Sequence, residues 1–387
     1  MKILYISQWF SSIGGGGEVV FQDLAKGMAR QGHDVDVICS QIKTLNYKLK
    51  NVNEHRIKPL LDIPPPTLKQ NILYIINALI KGSTLLRNKN IEIIHANNLG
   101  SVIVGVILSK VFRLPIVVTI HDVFTTSSQD HWEQWTKQGS KISKITSKIA
   151  PVLEKITVKI PPDIIHTVSN ITKEDLIKFG ATTKIKVIPN GVDLDDYSIL
   201  QSEKDYDRYV IFIGRLVFYK NLDVIISAFI DVVKQLHSSK MLILGDGPMR
   251  KKWEKRVTDL NLQENIKFVG YISDKEKINL LSRSSALVLP SFVEGFGLVI
   301  LEAFAMEKPV LVADVKPLSE LVYNNIDGFV LPVNSPKKWA EKLIYMLSNK
   351  EICEKMGKQG RLKVEKEYSL QRVVNNMESL YQGLLGK

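Results

Sequence analysis

Apolar and polar positions along this chain follow two rhythms that take turns. Short apolar runs, Lys2–Ser7, Asp34–Cys39, Ile91–His95, Ile116–Ile120, Asp163–Val168 and Lys186–Pro189, read as strands. Between them lie segments whose apolar positions recur every three to four residues, among them Val19–Arg30, Leu68–Arg87 and Val102–Phe112, which read as helices. The rhythm pauses at Asn190-Gly191-Val192-Asp193 and the polar stretch Ser202–Arg208. It restarts with strands at Tyr209–Ile213, Met241–Leu244, Ile266–Val269, Ala286–Leu289 and Pro309–Val312. Strand–helix alternation of this kind predicts an α/β protein with two Rossmann-like, doubly wound parallel-sheet domains. The expected boundaries are 1–190, a linker at 191–208, and 209–369; Leu370–Leu385 reads as a closing amphipathic helix.

Composition fits that picture. The 387 residues are 45% hydrophobic and 24% charged, ordinary for globular domains and ample for two cores. The two cysteines, Cys39 and Cys353, are far apart and lack metal-ligand spacing, which points to a reduced, cytoplasmic protein. The first apolar run is too short for a signal peptide, and no stretch reaches the length of a membrane span. The formal net charge of +12 is lopsided: residues 1–190 hold 24 Lys and Arg against 14 Asp and Glu. A basic first domain is expected to meet an anionic partner.

The run Pro290-Ser291-Phe292-Val293-Glu294-Gly295-Phe296-Gly297-Leu298 follows a buried-type strand and enters a helix expected near Gly297. Unpaired N–H groups at such a start bind phosphate at the carboxyl edge of a parallel sheet. Glu302 comes eight residues after Glu294, roughly two helical turns or ~12 Å of rise, a spacing that suits hydroxyl groups on either side of a diphosphate. Upstream, Gly214-Arg215-Leu216 ends a strand, and Lys220-Asn221 opens the next helix. The planar fork of Arg215 and the compact charge of Lys220 suit a diphosphate clamp that also stabilises the departing nucleotide.

Other segments carry weaker chemistry. Gly14-Gly15-Gly16-Gly17-Glu18 lies before a helix expected near Val19; four glycines are entropically expensive, and close approach to a ligand would offset that. The run is not a dinucleotide fingerprint, because Val19 stands where the last glycine belongs and the second strand ends without an acid. Thr119-Ile120-His121-Asp122 places His121 at a strand's carboxyl end, and His95 is a second candidate of this type. Asp34-Val35-Asp36 and Asp193-Leu194-Asp195 satisfy a D-x-D metal pattern, but one begins a strand and the other lies in the linker, so no metal is expected. The helix at 131–160 carries Lys137, Lys141, Lys144, Lys148, Lys155 and Lys159 beside an isoleucine-rich face, with Trp132 and Trp135 upstream. Such a segment suits peripheral contact with an anionic membrane.

Together the glycine run, T-x-H-D, I-P-N-G-V-D, G-R-L-x-x-x-K-N, G-D-G-P and the Glu294-x7-Glu302 run resemble the retaining nucleotide-sugar glycosyltransferases of family four (glycosyltransferase group 1), in the expected order along the chain. The resemblance implies a GT-B architecture in which two Rossmann-like domains face a central cleft, with the 370–387 helix crossing back to the first domain. It implies a hexose-type sugar transferred with retention, without metal or cofactor, from a UDP- or GDP-sugar (GDP-mannose among them) to an acceptor hydroxyl. The acceptor would be a lipid-linked saccharide or a glycan precursor at the cytoplasmic membrane face. It implies that Arg215 and Lys220 hold the donor phosphates and that Glu294 holds the sugar while Glu302 holds the ribose. Gly16, Gly17 and the backbone of Gly295, Phe296, Gly297 and Leu298 would approach the phosphates. Gly245 and Gly247 would approach the nucleoside, and Val269 the base. His121 would reach the sugar from the opposing domain. The catalytic set is therefore His121, Arg215, Lys220 and Glu294. An epimerase acting on nucleotide sugars, or a non-enzymatic protein that binds anionic surfaces, is the alternative; nucleic acid is not an expected partner.

Overall fold

A computed structural model describes residues 1–10, 16–42, 49–61, 67–97, 99–123, 144–197 and 209–386. The chain divides into two compact units, Met1–Asn190 with Leu370–Lys387, and Gly191–Ser369. Of the expected linker 191–208, residues 191–197 belong to the second unit, where Val192 bridges Ser369, and 198–208 lie outside the described residues.

The first unit is a seven-stranded parallel sheet. Its strands are β1 (Lys2–Ser7), β2 (Asp34–Ile42), β3 (Asn53–Leu61), β4 (Ile93–Asn97), β5 (Ile116–Thr119), β6 (Ile164–Thr167) and β7 (Ile185–Val187), in the order β3-β2-β1-β4-β5-β6-β7. Chain direction across the sheet therefore reverses between β1 and β4, the position where open α/β sheets form a ligand crevice. Alternate side chains of β1 serve opposite layers. Ile3 and Tyr5 join a core with α1 (Gly16–Arg30), whereas Leu4 and Ile6 join one with α2 (Leu68–Asn88) and α3 (Leu99–Phe112). Helix α4 (Lys144–Lys159) precedes β6, and α5 (Asn170–Phe179) follows it.

The second unit has six parallel strands, β8 (Tyr209–Ile213), β9 (Lys240–Leu244), β10 (Ile266–Gly270), β11 (Ala286–Leu289), β12 (Val310–Ala313) and β13 (Gly328–Leu331), ordered β10-β9-β8-β11-β12-β13. Here the reversal falls between β8 and β11. Helices α6 (Leu222–Gln235), α7 (Arg250–Asp259), α8 (Asp274–Arg283), α9 (Leu298–Ala305), α10 (Leu318–Leu321), α11 (Pro336–Ser348) and α12 (Lys350–Glu367) connect and flank the strands. Local chemistry sets the starts: Ser273 accepts from the Glu276 N–H while the Glu276 carboxylate accepts from the Ser273 N–H, a capping box that begins α8.

Both sheets match the alternation read from the chain, but β3 and β13 were not anticipated. β3 is an edge strand whose residues are mostly half-buried and polar, with Pro59 inside it, so it lacks an apolar run. β13 is short and starts on a glycine. Among the described residues no helix is long and apolar enough to cross a membrane.

The closing helix α13 (Leu370–Leu385) packs on α1 in the first unit. A Cβ on Gly27 would lie 2.3 Å from Val374 Cγ2, so the absence of a side chain there lets the two helices meet. A buried polar chain fixes its other side. His166 Nε2 lies 2.9 Å from the Ile188 carbonyl, which can only accept, so Nε2 carries the proton and Nδ1 accepts from Thr119 Oγ1 at 2.8 Å. Thr119 Oγ1 then accepts from His95 Nε2 at 2.6 Å, and His95 Nδ1 accepts from the Tyr381 hydroxyl at 2.5 Å. Tyr5 donates to Tyr381 at 3.1 Å. One carbonyl thus sets the direction of every bond up to α13. Burial holds both imidazoles neutral: His95 is pushed well below its usual value and His166 to about 4.

Candidate active site

The site in the second unit is built where β8 and β11 part. The loop after β8 carries Gly214, Arg215 and a short 3-10 turn, Phe218–Lys220; the loop after β11 carries Pro290 to Gly297. Asn221, in the left-handed region at φ 51°, tethers the two by donating to the Pro290 and Val333 carbonyls at 3.3 and 3.2 Å. The Phe292 N–H adds a bond to the Tyr219 carbonyl at 2.9 Å. The Lys220 ammonium is consequently delivered onto Glu294 Oε1, which also accepts from Ser291 Oγ at 2.7 Å. Both side chains of this ion pair are largely withdrawn from solvent, at 13% and 11% exposure. An ammonium has three donors, so Lys220 can hold Glu294 and still donate to a phosphate oxygen.

Helix α9 starts at Leu298, behind Gly297 at φ 94°, which matches the start expected near Gly297. A Cβ there would lie 2.8 Å from Leu318 Cδ2, so both conformation and space select glycine. No side chain caps this helix start. Because residues 294–297 are not helical, helical rise does not set the separation between Glu294 and Glu302, correcting the two-turn expectation.

Glu302, on α9, is buried at 6% exposure and faces Lys277 of α8. The Lys277 Nζ donates to Oε1 at 3.3 Å and lies 3.1 Å from Oε2, which makes no hydrogen bond among the described residues. Burial alone would lower the Lys277 ammonium, but the charges of Glu302 and Asp274, the latter at 3.3 Å, outweigh it and raise it overall. The site thus contains a carboxylate held by ion pairing to Lys277, one of whose oxygens makes no hydrogen bond among the described residues.

The neighbouring loops are knitted by backbone bonds: Gly214 N–H to Leu244 O at 3.0 Å, Leu216 N–H to Asp246 O at 2.9 Å, and Gly245 N–H to Gly270 O at 2.8 Å. Gly245 and Gly247 press on the chain itself: added Cβ atoms would lie 2.1 Å from Gly214 O and 2.4 Å from Leu216 O. Loop packing accounts for both glycines without a ligand. Val269 falls at a register shift in edge strand β10, between Phe268 and Gly270, so its backbone drops out of the ladder with β9. Arg215 is partly exposed and close enough to Tyr271 to oppose the rise that burial imposes on its hydroxyl. Gly295 and Phe296 complete the loop, Phe296 being buried against Tyr368.

In the first unit Gly14 and Gly15 lie outside the described residues, whereas Gly16 and Gly17 form the first turn of α1 rather than a loop. A Cβ on Gly16 would meet nothing within 4 Å, but one on Gly17 would lie 2.8 Å from His121 Cδ2. The close approach that Gly17 permits is therefore to a histidine of its own unit. His121 Nε2 lies 3.0 Å from Asn97 Oδ1, at the end of β4. Burial, reinforced by His166, pushes the imidazole down to about 3, so it is neutral at pH 7. Asn97 Nδ2 is buried without a hydrogen-bond partner among the described residues. His95, by contrast, is inside β4 and belongs to the α13 network, which removes it from the candidate list.

The D-x-D carboxylates have other work. Asp36 accepts from Lys89 at 2.6 and 2.7 Å and pairs with His55 at 2.6 Å; Asp34 accepts from Asn53 at 3.0 Å. Asp193 accepts from the Asp195 N–H at 3.4 Å. Trp132, Trp135, Lys137 and Lys141 lie outside the described residues. Lys277 was missed by sequence reasoning because its partner is 25 positions away and no local motif marks it. Ser291 stood in the P-S-x-x-E run, where its proximity to Glu294 was the available signal.

The family described as "Glycosyltransferase Family 4" matches residues 14–196, and that described as "Glycosyl transferases group 1" matches residues 199–363. The chain is 25% identical over 397 residues to N-acetyl-alpha-D-glucosaminyl L-malate synthase of Bacillus anthracis, covering 100% of this chain and 98% of that protein. It is 27% identical over 334 residues to the UDP-Gal:alpha-D-GlcNAc-diphosphoundecaprenol alpha-1,3-galactosyltransferase of Escherichia coli, covering 82% of each. Among solved structures, sucrose-phosphate synthase from Thermosynechococcus elongatus is similar with a TM-score of 0.80 at 20% identity, covering 100% of this chain and 99% of that one. At that identity the likeness speaks to the fold, which is of the two-domain GT-B type.

Proposed function

The chain belongs to the family 4, group 1 glycosyltransferases, and we propose that it moves a hexose-type sugar from a UDP- or GDP-sugar to an acceptor hydroxyl with retention and without metal. The observation that carries the donor side is the pairing of Lys220 with Glu294 at the point where β8 and β11 part. Lys220 and Arg215 neutralise the diphosphate as charge builds on it, Glu294 orients sugar hydroxyls, and the Glu302 carboxylate accepts from a ribose hydroxyl. The bond from the anomeric carbon to the phosphate oxygen breaks as the bond to the acceptor oxygen forms on the same face. The acceptor proton goes to the departing phosphate. His121, neutral, serves as a hydrogen-bond partner to the sugar and not as an acid.

The acceptor we infer is a lipid-linked saccharide or glycan precursor at the cytoplasmic face of a membrane. The diphosphoundecaprenol acceptor in the name of the Escherichia coli relative supports this reading, as does the lysine-bearing segment 131–160, of which 144–159 forms α4. Incubation with a panel of UDP- and GDP-sugars and candidate acceptors tests the reaction. The expected result is nucleoside diphosphate release matched by mass gain on an acceptor with an α linkage. Conversion of the donor to an epimer, with no diphosphate released, would overturn it.

A further inference from the structure

The outward face of α2 is apolar, and among the described residues nothing packs over it. Tyr74, Ala78, Gly82 and Leu85 face the sheet and are buried. At 100° per residue the roughly opposite side presents Leu68, Ile72, Ile76 and Ile80, which are 46%, 51%, 51% and 62% exposed. A surface helix ordinarily puts polar residues there. Exposed Lys69 and Arg87 stand on the same side, and α2 contains no Asp or Glu.

The neighbouring helix repeats the pattern. α3 packs beside α2, and exposes Ile107 and Val111 next to Lys110 and Arg113, again with no acid between Leu99 and Arg113. Beyond it α4 exposes Val152, Leu153 and Ile156 among Lys148, Lys155 and Lys159, while its one acid, Glu154, is buried. Three adjacent helices thus show solvent apolar groups and cations but no exposed carboxylate.

We propose that this helical layer docks on an anionic lipid bilayer, with the Leu68–Ile80 face of α2 entering the headgroup boundary and the flanking Lys and Arg meeting lipid phosphates. Against a second copy of the chain, the same cations would oppose one another across a two-fold interface; against a bilayer of negative headgroups they are complementary. The proposal moves the principal contact from 131–160 to α2 and α3, and does not depend on the glycosyl-transfer reading.

The test is co-sedimentation of the full chain with phosphatidylcholine vesicles with or without phosphatidylglycerol, with nucleotide-sugar thermal stabilisation measured on the same samples. The protein should pellet only with phosphatidylglycerol, and less at high salt. The combined variant Ile72→Ser, Ile76→Ser, Ile80→Ser should partition at least about tenfold less while its stabilisation by nucleotide sugar is unchanged. Wild-type protein left in the supernatant, equal binding to neutral vesicles, or undiminished binding by the triple variant would overturn the proposal. So would a wild-type dimer that the triple variant converts to monomer, which would assign the face to self-association. Loss of nucleotide-sugar stabilisation in the wild type would count against the transferase reading and leave the vesicle result standing.

Discussion

Lys220 and Glu294, separated by 74 positions in sequence, form a withdrawn ion pair at the point where the second sheet changes direction. The pair neutralises charges that would be expensive to bury alone, and in the proposed reaction it holds an ammonium and a carboxylate ready for a donor. Lys220→Ala should lower turnover on the order of 100-fold or more with the circular dichroism spectrum retained. Glu294→Gln, which keeps the shape and the Ser291 bond, should lower it by a comparable factor. Wild-type turnover in both variants would remove the pair from the mechanism.

Lys277 is a positioning residue for Glu302. Lys277→Met should raise the donor KM more than it lowers kcat, because a loosened carboxylate weakens binding before chemistry, and Lys277→Arg should restore part of the loss. Equal kinetics for wild type and Lys277→Met would show that Glu302 needs no anchor.

Gly17 leaves room for the His121 ring. Gly17→Val would push the imidazole from its place beside Asn97, and about a tenfold or greater loss of turnover is expected, since small displacements of positioning groups are amplified in rate. The loss should fall on kcat more than on the donor KM. A fully active Gly17→Val protein would mean that the His121 position is irrelevant to transfer.

Tyr381→Phe removes the hydroxyl that donates to His95 and accepts from Tyr5. Two buried groups lose partners, so a loss of about 1–3 kcal/mol in unfolding free energy is expected, measured by urea denaturation. Unchanged stability would deny the network its role in holding α13.

The acid dependence of stability has a definite sign. His95, His121 and His166 have native values below the usual imidazole value, so the unfolded chain binds protons first as pH falls. Their contribution is complete above about pH 6.5. It is lost progressively between that value and their native ones, about 4 for His166 and about 3 for His121. In a nuclear magnetic resonance titration from pH 8 to pH 5 these three imidazoles should not titrate. A midpoint near 6.5 for His166 would contradict the buried chain.

The sheets and the candidate loops were legible in the sequence because each depends on local pattern: an apolar run for β8 or β11, a glycine before a helix for α9. β3 was not legible because an edge strand needs no continuous apolar face, and Pro59 argues against one. Gly17, Gly245 and Gly247 were singled out as places of close approach, but the groups they approach, His121 and the Gly214–Leu216 backbone, are distant in sequence. Lys277 had no signal at all, since a half-buried cation is recognised only by the carboxylate that tertiary structure brings to it. Motifs mark where backbone geometry is special; pairing partners emerge from packing.

The central claim, that the β8–β11 crevice binds a nucleoside diphosphate sugar through Lys220, is tested most directly by thermal shift against UDP- and GDP-sugars. At a ligand concentration of 100 Kd, stabilisation of about 2.7 kcal/mol is expected for wild type, visible as a raised melting temperature with one nucleotide class and strongly reduced in Lys220→Ala. No shift with any sugar nucleotide, or an equal shift in Lys220→Ala, would contradict it.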